Sequence, residues 1–192
     1  KFDSDDSWAG LLGIGYREGS DNGFTIRRAD HNNKIRVSTS LSDGSFEDIL
    51  ESTSTFTTSS GWNHIVVQKD DNTISLFINS ILEDSNSIPA STQMFDNPQD
   101  FVFAKGSGTS EYIRGWIDDF VLYRNALTQT EISELYNDGN WKSPSQVKPT
   151  GMMFHYRLDG SIDDFSGNNS TSTNNGADFV SIFQEIVVFL KM

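Results

Sequence analysis

Residues 115–136, GWIDDFVLYRNALTQTEISELY, constrain the fold of this chain more than any other part of its sequence. The first half of this stretch predicts a β-strand with Phe120 and Leu122 on one face. Two adjacent aspartates, Asp118 and Asp119, fall inside the same apolar run. Because neighbouring side chains in a strand point to opposite faces, one of these carboxylates shares the face of Phe120 and Leu122. That carboxylate needs a hydrogen-bond donor, a cation or a place at the end of the sheet.

The second half of the stretch predicts one short helix near residues 128–137. Thr128 and Glu131 have the spacing of a capping box, in which each side chain accepts a hydrogen bond from the backbone of the other residue. Gly139 is typical of the position just beyond a helix end. The apolar face of the helix would be formed by Ile132, Leu135 and Tyr136.

The amino-acid composition excludes several classes of protein. The chain has 192 residues, enough to bury a sizeable core, and its 14 Phe and 4 Trp supply apolar bulk for that core. It carries 27 acidic and 14 basic residues, a net charge of −13, so it lacks the basic surface that nucleic-acid binding requires. There is no cysteine, which excludes disulfides and thiol chemistry. No apolar run approaches the ~18 residues of a membrane span, so we expect no membrane insertion.

Apolar runs and turn residues predict short strands along most of the remaining sequence. These strands cover residues 11–14, 23–28, 34–38, 62–69, 73–79, 101–104, 152–158 and 185–190. Residues 80–100 contain two prolines and many small polar residues, which predict a long surface loop. Residues 141–149 also contain two prolines and few apolar residues, which predict a linker.

Three motifs together resemble a known family. Residues 115–136 read G-x-I-D-D-x-x-L-Y-x-x-A-L-T-x-x-E-I-x-x-L-Y, which resembles the C-terminal motif of laminin-G-like domains of the concanavalin A-like lectin/glucanase superfamily. Residues 61–67 and 75–79 are similar to the family's W-x-H-V strand and its L-Y-I-N-G partner, with Ser80 where the family has glycine. Residues 156–168 are similar to its opening motif, Y-x-L-D-G followed by D-x-S-G-N. The resemblance implies an all-β, antiparallel jelly-roll β-sandwich with one short helix.

The order of these motifs is unusual, because the family's opening motif follows its closing motif here. Residues 1–140 resemble a laminin-G-like sandwich that lacks its usual first strands, and residues 150–192 resemble those opening strands. The second segment either begins a second tandem domain or completes the first sandwich. We predict completion, because residues 185–191 resemble the F-T-I-S-F-W-V-K strand that precedes the loop matched by residues 1–8. If the tail packs on a neighbouring chain instead, the same logic gives strand exchange.

The resemblance also implies a structural calcium ion, since relatives hold one between the D-x-S-G-N loop and the I-D-D strand. Carried over residue by residue, its oxygen ligands would come from Asp118, Asp163, Asp164, Ser166 and Asn168. Calcium prefers such hard oxygen ligands on turn-rich backbone. The alternative interpretation is that Asp118 caps backbone amides and that the loop aspartates are solvated turn residues. The sequence contains no twelve-residue calcium loop of the D-x-[DN]-x-[DN]-G type.

Glycan binding would use exposed aromatic rings for stacking and planar polar groups for the hydroxyls. The candidates are Trp8, Tyr16, Arg27, Arg28, Tyr112 and Trp141. Each of them can also be an ordinary surface or core residue. His64, at the start of an apolar run, is interpreted as structural rather than as a metal ligand.

Catalysis is not predicted. Glycoside hydrolases of this superfamily carry paired glutamates on one strand, as in E-x-D-x-E, and the sequence has no such motif. It also lacks the G-x-S-x-G and phosphate-loop motifs.

The resulting hypothesis is a non-catalytic extracellular module that recognises carbohydrate or a surface partner, placed outside the cell or on a cell or virion surface. One alternative is a structural or decoration module of a virion, fibre or cell-surface layer, which packs against neighbouring chains. Another is an accessory domain of a polysaccharide-degrading enzyme. Exposed aromatic residues would favour glycan binding, and a flat apolar patch would favour assembly.

Overall fold

A computed structural model describes residues 1–3, 8–14, 23–29, 31–40, 46–88, 101–105, 112–175, 178 and 188–191. The strands are β1 Ala9–Ile14, β2 Phe24–Arg28, β3 Lys34–Ser40, β4 Phe46–Thr55, β5 Ile65–Asp70, β6 Thr73–Ile78, β7 Ile81–Ser87, β8 Phe101–Phe103, β9 Phe120–Tyr123, β10 Met152–Tyr156 and β11 Val188–Lys191. The helices are α1 Gln129–Tyr136 and the single turn α2 Pro144–Val147. Strands dominate the described residues, so the predicted all-β class is confirmed.

The chain divides into two compact units, and the first comprises residues 1–61, 71–76 and 83–116. Its sheet has the strand order β4-β3-β2-β1-β8, with antiparallel pairing throughout. Strand β2 places Phe24 and Ile26 in the core, as its alternation predicts, but Arg27 and Arg28 are buried as well. The other well-buried apolar side chains of this sheet are Leu12, Ile14, Ile35, Val37 and Leu50.

The second unit comprises residues 62–70, 77–82 and 117–192. The sheet that includes its strands has the order β10-β9-β11-β5-β6-β7. The core cluster of this unit is formed by Val66, Phe77, Val121, Tyr123, Leu127, Ile132, Leu135 and Met152. Helix α1 therefore contributes to this core through Ile132 and Leu135, two of the residues predicted for its apolar face.

Helix α1 has the predicted N-terminal cap. The Thr128 side chain accepts a hydrogen bond from the Glu131 amide, and the Glu131 carboxylate accepts one from the Thr128 amide at 2.7 Å. Both bonds satisfy backbone groups that have no partner within the helix. The helix ends at Tyr136, and Asn137 follows it in the left-handed conformation, with φ of 44°. The helix therefore ends before Gly139, the residue that the sequence suggested for this position.

Two sequence-based predictions need correction. Strand β9 begins at Phe120, so Asp118 and Asp119 precede the strand instead of lying inside it. Asp119 has φ of 39°, a left-handed value that interrupts the extended backbone at this point. The prediction of a loop over residues 80–100 is wrong for its first part, because strand β7 forms there. Residues 89–100 lie outside the described residues.

The segment predicted as a linker, 141–149, contains α2 and is anchored within the second unit. The Tyr123 hydroxyl donates its one hydrogen bond to the carbonyl oxygen of Lys148 at 3.0 Å, and the carbonyl oxygen of Pro144 lies 3.4 Å from the same hydroxyl. The Lys148 ammonium lies 2.9 Å from Glu131 of α1. The assignment of these residues as a boundary between domains stays a prediction.

The two C-terminal strands pair with strands of the second unit. Strand β10 is antiparallel to β9. Strand β11 lies between β5 and β9 and runs parallel to both, which differs from the antiparallel pairing of the first sheet. The predicted strand 185–190 is thus observed from residue 188 onward. None of the helices in the described ranges is long and apolar enough to span a membrane.

Candidate ligand-binding site

A row of residues in register crosses the first sheet. Gly10 of β1 is opposite Arg27 of β2, Arg27 is opposite Arg36 of β3, and Arg36 is opposite Glu51 of β4. Residues directly opposite each other project from the same face of a sheet. Gly10 has no side chain, and the indole ring of Trp8, two residues earlier, lies over the Arg27 guanidinium with 4.3 Å between Cζ and the ring centroid. The row therefore ends in an aromatic ring held by a cation–π contact.

Two carboxylates of β4 neutralise the arginines of this row. Asp48 accepts from Arg27 at 2.9 Å and from Arg36 at 3.0 Å. Glu51 lies 2.6 Å from Arg36 Nη2 and 3.2 Å from Lys34. Each carboxylate thus bonds two cations, and this fixes the side-chain geometry across three strands.

Two residues of the β2–β3 turn border the same row. The His31 ring packs edge-on against Trp8, with 5.9 Å between centroids. His31 Nε2 lies 3.1 Å from Arg36 Nη2, and because a guanidinium can only donate, this histidine nitrogen is the acceptor. The Asn32 amide donates to Glu51 at 3.2 Å. We call this group the Trp8 cluster, and its members are Trp8, Arg27, His31, Asn32, Lys34, Arg36, Asp48 and Glu51.

The two carboxylates are the most exposed charged side chains of the Trp8 cluster, and Lys34 follows at 29%. The side chains of Arg27 and Arg36 are 0% and 19% exposed, whereas those of Asp48 and Glu51 are 36% and 35% exposed. Burial raises the pKa of Asp48, but the Ser38 hydroxyl and the two guanidinium groups outweigh it and hold that pKa below its ordinary value. Burial likewise raises the pKa of Glu51, and hydrogen bonds from Arg36, Asn32 and Lys34 lower it further than burial raises it. Both carboxylates are therefore ionised at neutral pH.

This arrangement suits a polyhydroxylated ligand. A half-exposed indole offers an apolar face to C–H groups, and ionised carboxylates offer planar, fixed acceptors to hydroxyl groups. The acceptors are held by strands, so little ordering is needed when a ligand binds.

The structure brings two of the predicted ligand residues together, Trp8 and Arg27. Arg27 and Arg28 lie on a strand and are buried, so neither occupies an exposed loop. Arg28 stacks on Phe2 at 4.8 Å and donates to the Asn33 side chain at 3.1 Å. These contacts hold Arg28 in a buried position, and its assignment as a ligand residue stays a prediction.

The other predicted ligand residues lie elsewhere. Tyr112 is 57% exposed, and its ring lies 5.6 Å from the Lys105 ammonium. Trp141, in the second unit, packs edge-on against His64 at 5.8 Å and against Tyr136 at 5.3 Å. Tyr16 lies outside the described residues.

The sequence analysis missed most members of the Trp8 cluster. The missed residues are His31, Asn32, Lys34, Arg36, Asp48 and Glu51. Polar residues that alternate with Ile35 and Val37 on β3 were a usable signal, because they mark the face of the strand that points away from the core.

The residues predicted to bind calcium form a backbone cap in the second unit. Asp164 accepts four hydrogen bonds, each at 2.9 Å: Oδ1 from the amides of His155 and Ser166, and Oδ2 from the Ser170 amide and the Ser166 hydroxyl. Burial raises the pKa of Asp164, but the three backbone amides and the hydroxyl outweigh it and lower the pKa to about 2. These donors occupy the acceptor positions that a cation would use.

The remaining residues of that predicted set are arranged in the same way. The Asn168 amide donates to the carbonyl oxygens of Met152 and Met153, at 2.8 and 2.9 Å. Asp118 accepts from the Asp119 amide at 3.1 Å, and Asp163 is exposed. Within the described residues there is no group of three or more His, Asp or Glu side chains that could hold a metal ion. The geometry around Asp164 does not fit a calcium site, and the calcium requirement itself stays a prediction.

The partner of the buried aspartate is a histidine. Asp119 Oδ1 lies 2.8 Å from His155 Nε2, and both side chains are about 95% buried. The sequence analysis expected a donor or a cation for one of the two adjacent aspartates, and His155 of β10 fills that role for Asp119. The pair joins β10 to the segment before β9, so it is a structural element of this sheet.

The solved structures that resemble this chain share little sequence identity with it. The CBM40 of a Ruminococcus gnavus IT-sialidase bound to α2,6 sialyllactose is 16% identical, with a TM-score of 0.47, over 60% of this chain and 67% of that chain. A structure of the same CBM40 bound to α2,3 sialyllactose is 15% identical, with a TM-score of 0.43, over 60% and 66%. An S-layer domain-containing protein from Clostridium thermocellum is 20% identical, with a TM-score of 0.38, over 71% and 65%. The chain thus spans about two thirds of each of them.

Sequence comparison gives the family. A search among curated proteins found no match. A laminin-G-like family model, described as concanavalin A-like lectin/glucanases superfamily, matches residues 1–133, which is more than half of the chain. That span contains the Trp8 cluster, strand β9 and most of helix α1. The chain therefore belongs to the concanavalin A-like lectin/glucanases superfamily as a laminin-G-like domain, and the jelly-roll β-sandwich class predicted from its motifs is confirmed.

Proposed function

We propose that this chain is a non-catalytic recognition module that binds carbohydrate outside the cell through the Trp8 cluster. The observation that carries the proposal is the Trp8 indole, fixed over Arg27 beside the exposed carboxylates of Asp48 and Glu51. An aromatic ring next to fixed planar acceptors is the combination that sugar recognition needs, because sugars present C–H faces and hydroxyl edges. An accessory role within a larger polysaccharide-degrading enzyme would use the same site.

The electrostatics of the cluster support binding rather than hydrolysis. A glycosidase needs one carboxyl group whose raised pKa lets it act as a general acid. The pKa values of Asp48 and Glu51 are both lowered, by the hydroxyl of Ser38 and by bonds from Arg27, Arg36 and neighbouring donors, despite the opposing effect of burial. Neither carboxyl group would hold a proton to donate at neutral pH.

A glycan array followed by calorimetry on the best ligand tests the proposal. Trp8→Ala should weaken binding by about tenfold or more, because it removes the stacking surface. Tyr112→Ala provides the comparison with a predicted ligand residue elsewhere, since it removes an exposed aromatic ring of the same unit that lies outside the cluster. Thermal unfolding of both variants separates loss of binding from loss of folding. A folded wild-type chain that binds no glycan would overturn the proposal.

A second candidate function is packing against neighbouring chains in a surface layer, fibre or virion. It is favoured by Ile81 and Leu82 at the start of β7, which are 65% and 52% exposed. Two adjacent exposed aliphatic side chains on a terminal strand are unfavourable in a chain that stays monomeric. Light scattering distinguishes the candidates: an assembly that Ile81→Ser with Leu82→Ser abolishes would favour packing, and a wild-type monomer at all concentrations would exclude it.

A further inference from the structure

We infer that the sugar bound by the Trp8 cluster carries no negative charge and is held through hydroxyl groups that donate to Asp48 and Glu51. This inference rests on the proposed function, and it specifies the chemical class of the ligand. It follows from which polar atoms of the cluster are engaged and which are accessible.

The two arginines of the cluster are already used by the protein, and its third cation, Lys34, is paired with Glu51 at 3.2 Å. Arg36 directs Nε and Nη2 to Glu51, at 2.7 and 2.6 Å, and Nη1 to Asp48 at 3.0 Å. Its Nη2 also meets His31. Arg27 has no exposed surface and lies under the Trp8 ring. A carboxylate or sulfate on a ligand would have to displace these carboxylates to reach a guanidinium, which costs the charge-assisted hydrogen bonds that Arg36 makes to them.

The most accessible charged side chains of the cluster are the two carboxylates, and Lys34, at 29% exposure, is the most accessible cation. Among the contacts of the described residues, Asp48 Oδ2 accepts one hydrogen bond, from Arg36, and Glu51 Oε1 accepts one, from Lys34. A carboxylate oxygen can accept two, so each of these oxygens retains one position for a donor. Both side chains are about one-third exposed. The site is therefore complementary to a ligand that donates, such as the hydroxyl groups of a neutral hexopyranose.

The electrostatic field of the cluster and of the whole chain also disfavours an anionic ligand. The cluster formally contains three cations, Arg27, Lys34 and Arg36, and two carboxylates. Arg27 is covered by Trp8, Lys34 is paired with Glu51, and both carboxylates are more exposed than any cation of the cluster. The chain as a whole has a net charge of −13, which repels an anionic ligand at long range. A neutral sugar has no net charge, so this field does not repel it.

The test compares neutral oligosaccharides with their sulfated and carboxylated derivatives on one array, followed by calorimetry of the best pair. We expect the neutral sugar to bind at least about tenfold more tightly than its acidic derivative. Its affinity should change less than about twofold between low and roughly 0.5 M salt, because no ligand charge is screened.

Variants of the two acceptors complete the test. Glu51→Gln and Asp48→Asn each remove an ionised acceptor without changing side-chain size, and each should weaken neutral-sugar binding several-fold. Glu47→Gln is the matched control, since it removes one negative charge from the same strand outside the cluster. If one of these two variants fails to fold, the other still tests whether the carboxylates bind the sugar.

The outcomes separate the two claims. An acidic glycan that binds more tightly than its neutral parent would overturn this inference and leave the proposed function intact. Neutral-sugar binding that is unchanged in both acceptor variants would also overturn it. A folded chain that binds no glycan of either kind would overturn the proposed function and this inference with it.

Discussion

His64 shows how burial sets the charge of a single residue. Its side chain has no exposed surface, and its ring stacks on Tyr136 with 6.2 Å between centroids and an interplanar angle of 12°. Burial lowers the pKa of His64 to about 3, because the charged form cannot be solvated there. The imidazole is therefore a neutral packing element, as the sequence analysis interpreted it.

This depressed pKa predicts acid sensitivity of the fold. The unfolded chain binds a proton at His64 below about pH 6.5, whereas the folded chain does so only near pH 3, so stability is present above the unfolded pKa and is lost as the pH falls through this window. His64→Phe keeps an aromatic ring against Tyr136 and removes the titration. Between about pH 7 and pH 5, the wild type should lose about 2 kcal/mol more unfolding free energy than the variant.

Urea unfolding at both pH values measures that difference. Val102→Ala, which changes an exposed side chain that does not titrate, serves as the control and should keep the wild-type pH dependence. Equal pH dependence in the wild type and His64→Phe would show that His64 does not couple protonation to folding.

At the scale of elements, side chains close the edges of the sheets. Strand β10 ends its sheet, and its outer backbone groups bond to the loop that follows it. Asp164 accepts from the His155 amide, and Asn168 donates to the carbonyl oxygens of Met152 and Met153. An unpaired edge strand is a template for association, so these bonds protect the sheet. They also give the D-x-S-G-N motif a structural role.

The first unit uses carboxylates for the same purpose. Strand β4 ends the first sheet, and its backbone amides at Thr53 and Ser54 donate to the Glu83 carboxylate at 2.8 and 3.0 Å. The Glu51 amide donates to Asp84 at 2.9 Å. Acidic side chains of β7 thus occupy the donors that a further strand would need.

Removing the central cap of β10 should destabilise the fold. Asp164→Ala leaves the amides of His155, Ser166 and Ser170 without their acceptor, and we expect a loss of about 1–3 kcal/mol in unfolding free energy. Asp163→Ala is the matched control, because Asp163 is exposed and its neighbour carries the bonds. Chemical unfolding measures both. A similar small effect in the two variants would show that the cap contributes little.

Chelation should leave the stability of the chain unchanged. A calcium ion at this loop would have to replace amide and hydroxyl donors on Asp164, and bound calcium in excess would raise stability by about 3 kcal/mol. We therefore expect the same melting temperature in calcium and in a chelator. A rise of several degrees in calcium that Asp163→Ala removes would restore the ion site that the resemblance implies.

Local patterns were predictable from the sequence, and contacts across strands were not. The capping box of Thr128 and Glu131 depends on residues three apart, so the sequence alone reveals it. The Trp8 cluster depends on the register that places Arg27 opposite Arg36, and register is set by the packing of whole strands. The buried contact between Asp119 and His155 likewise joins residues that are 36 positions apart, so no local pattern indicates it.

At the scale of the whole molecule, the C-terminal strand decides whether the second sheet is continuous. Val188 of β11 is opposite Ile65 of β5 on one side and Phe120 of β9 on the other. Both ladders are parallel, and they run over three and four residue pairs. We propose that residues 150–192 complete the sandwich begun by residues 1–140, and this pairing supports that proposal.

Removal of residues 188–192 tests that proposal directly. The truncation would leave β5 and β9 with unpaired backbone groups in the middle of a sheet, so we expect a lower melting temperature and concentration-dependent association. Hydrogen exchange should accelerate at the amides of Val66 and Val121 and at their neighbours in the two ladders. A synthetic peptide of residues 179–192 should restore both protection and the monomer, whereas a scrambled peptide should not. If the truncated chain keeps wild-type protection at these amides, the C-terminal strand does not complete this sheet, and the proposal fails for that strand.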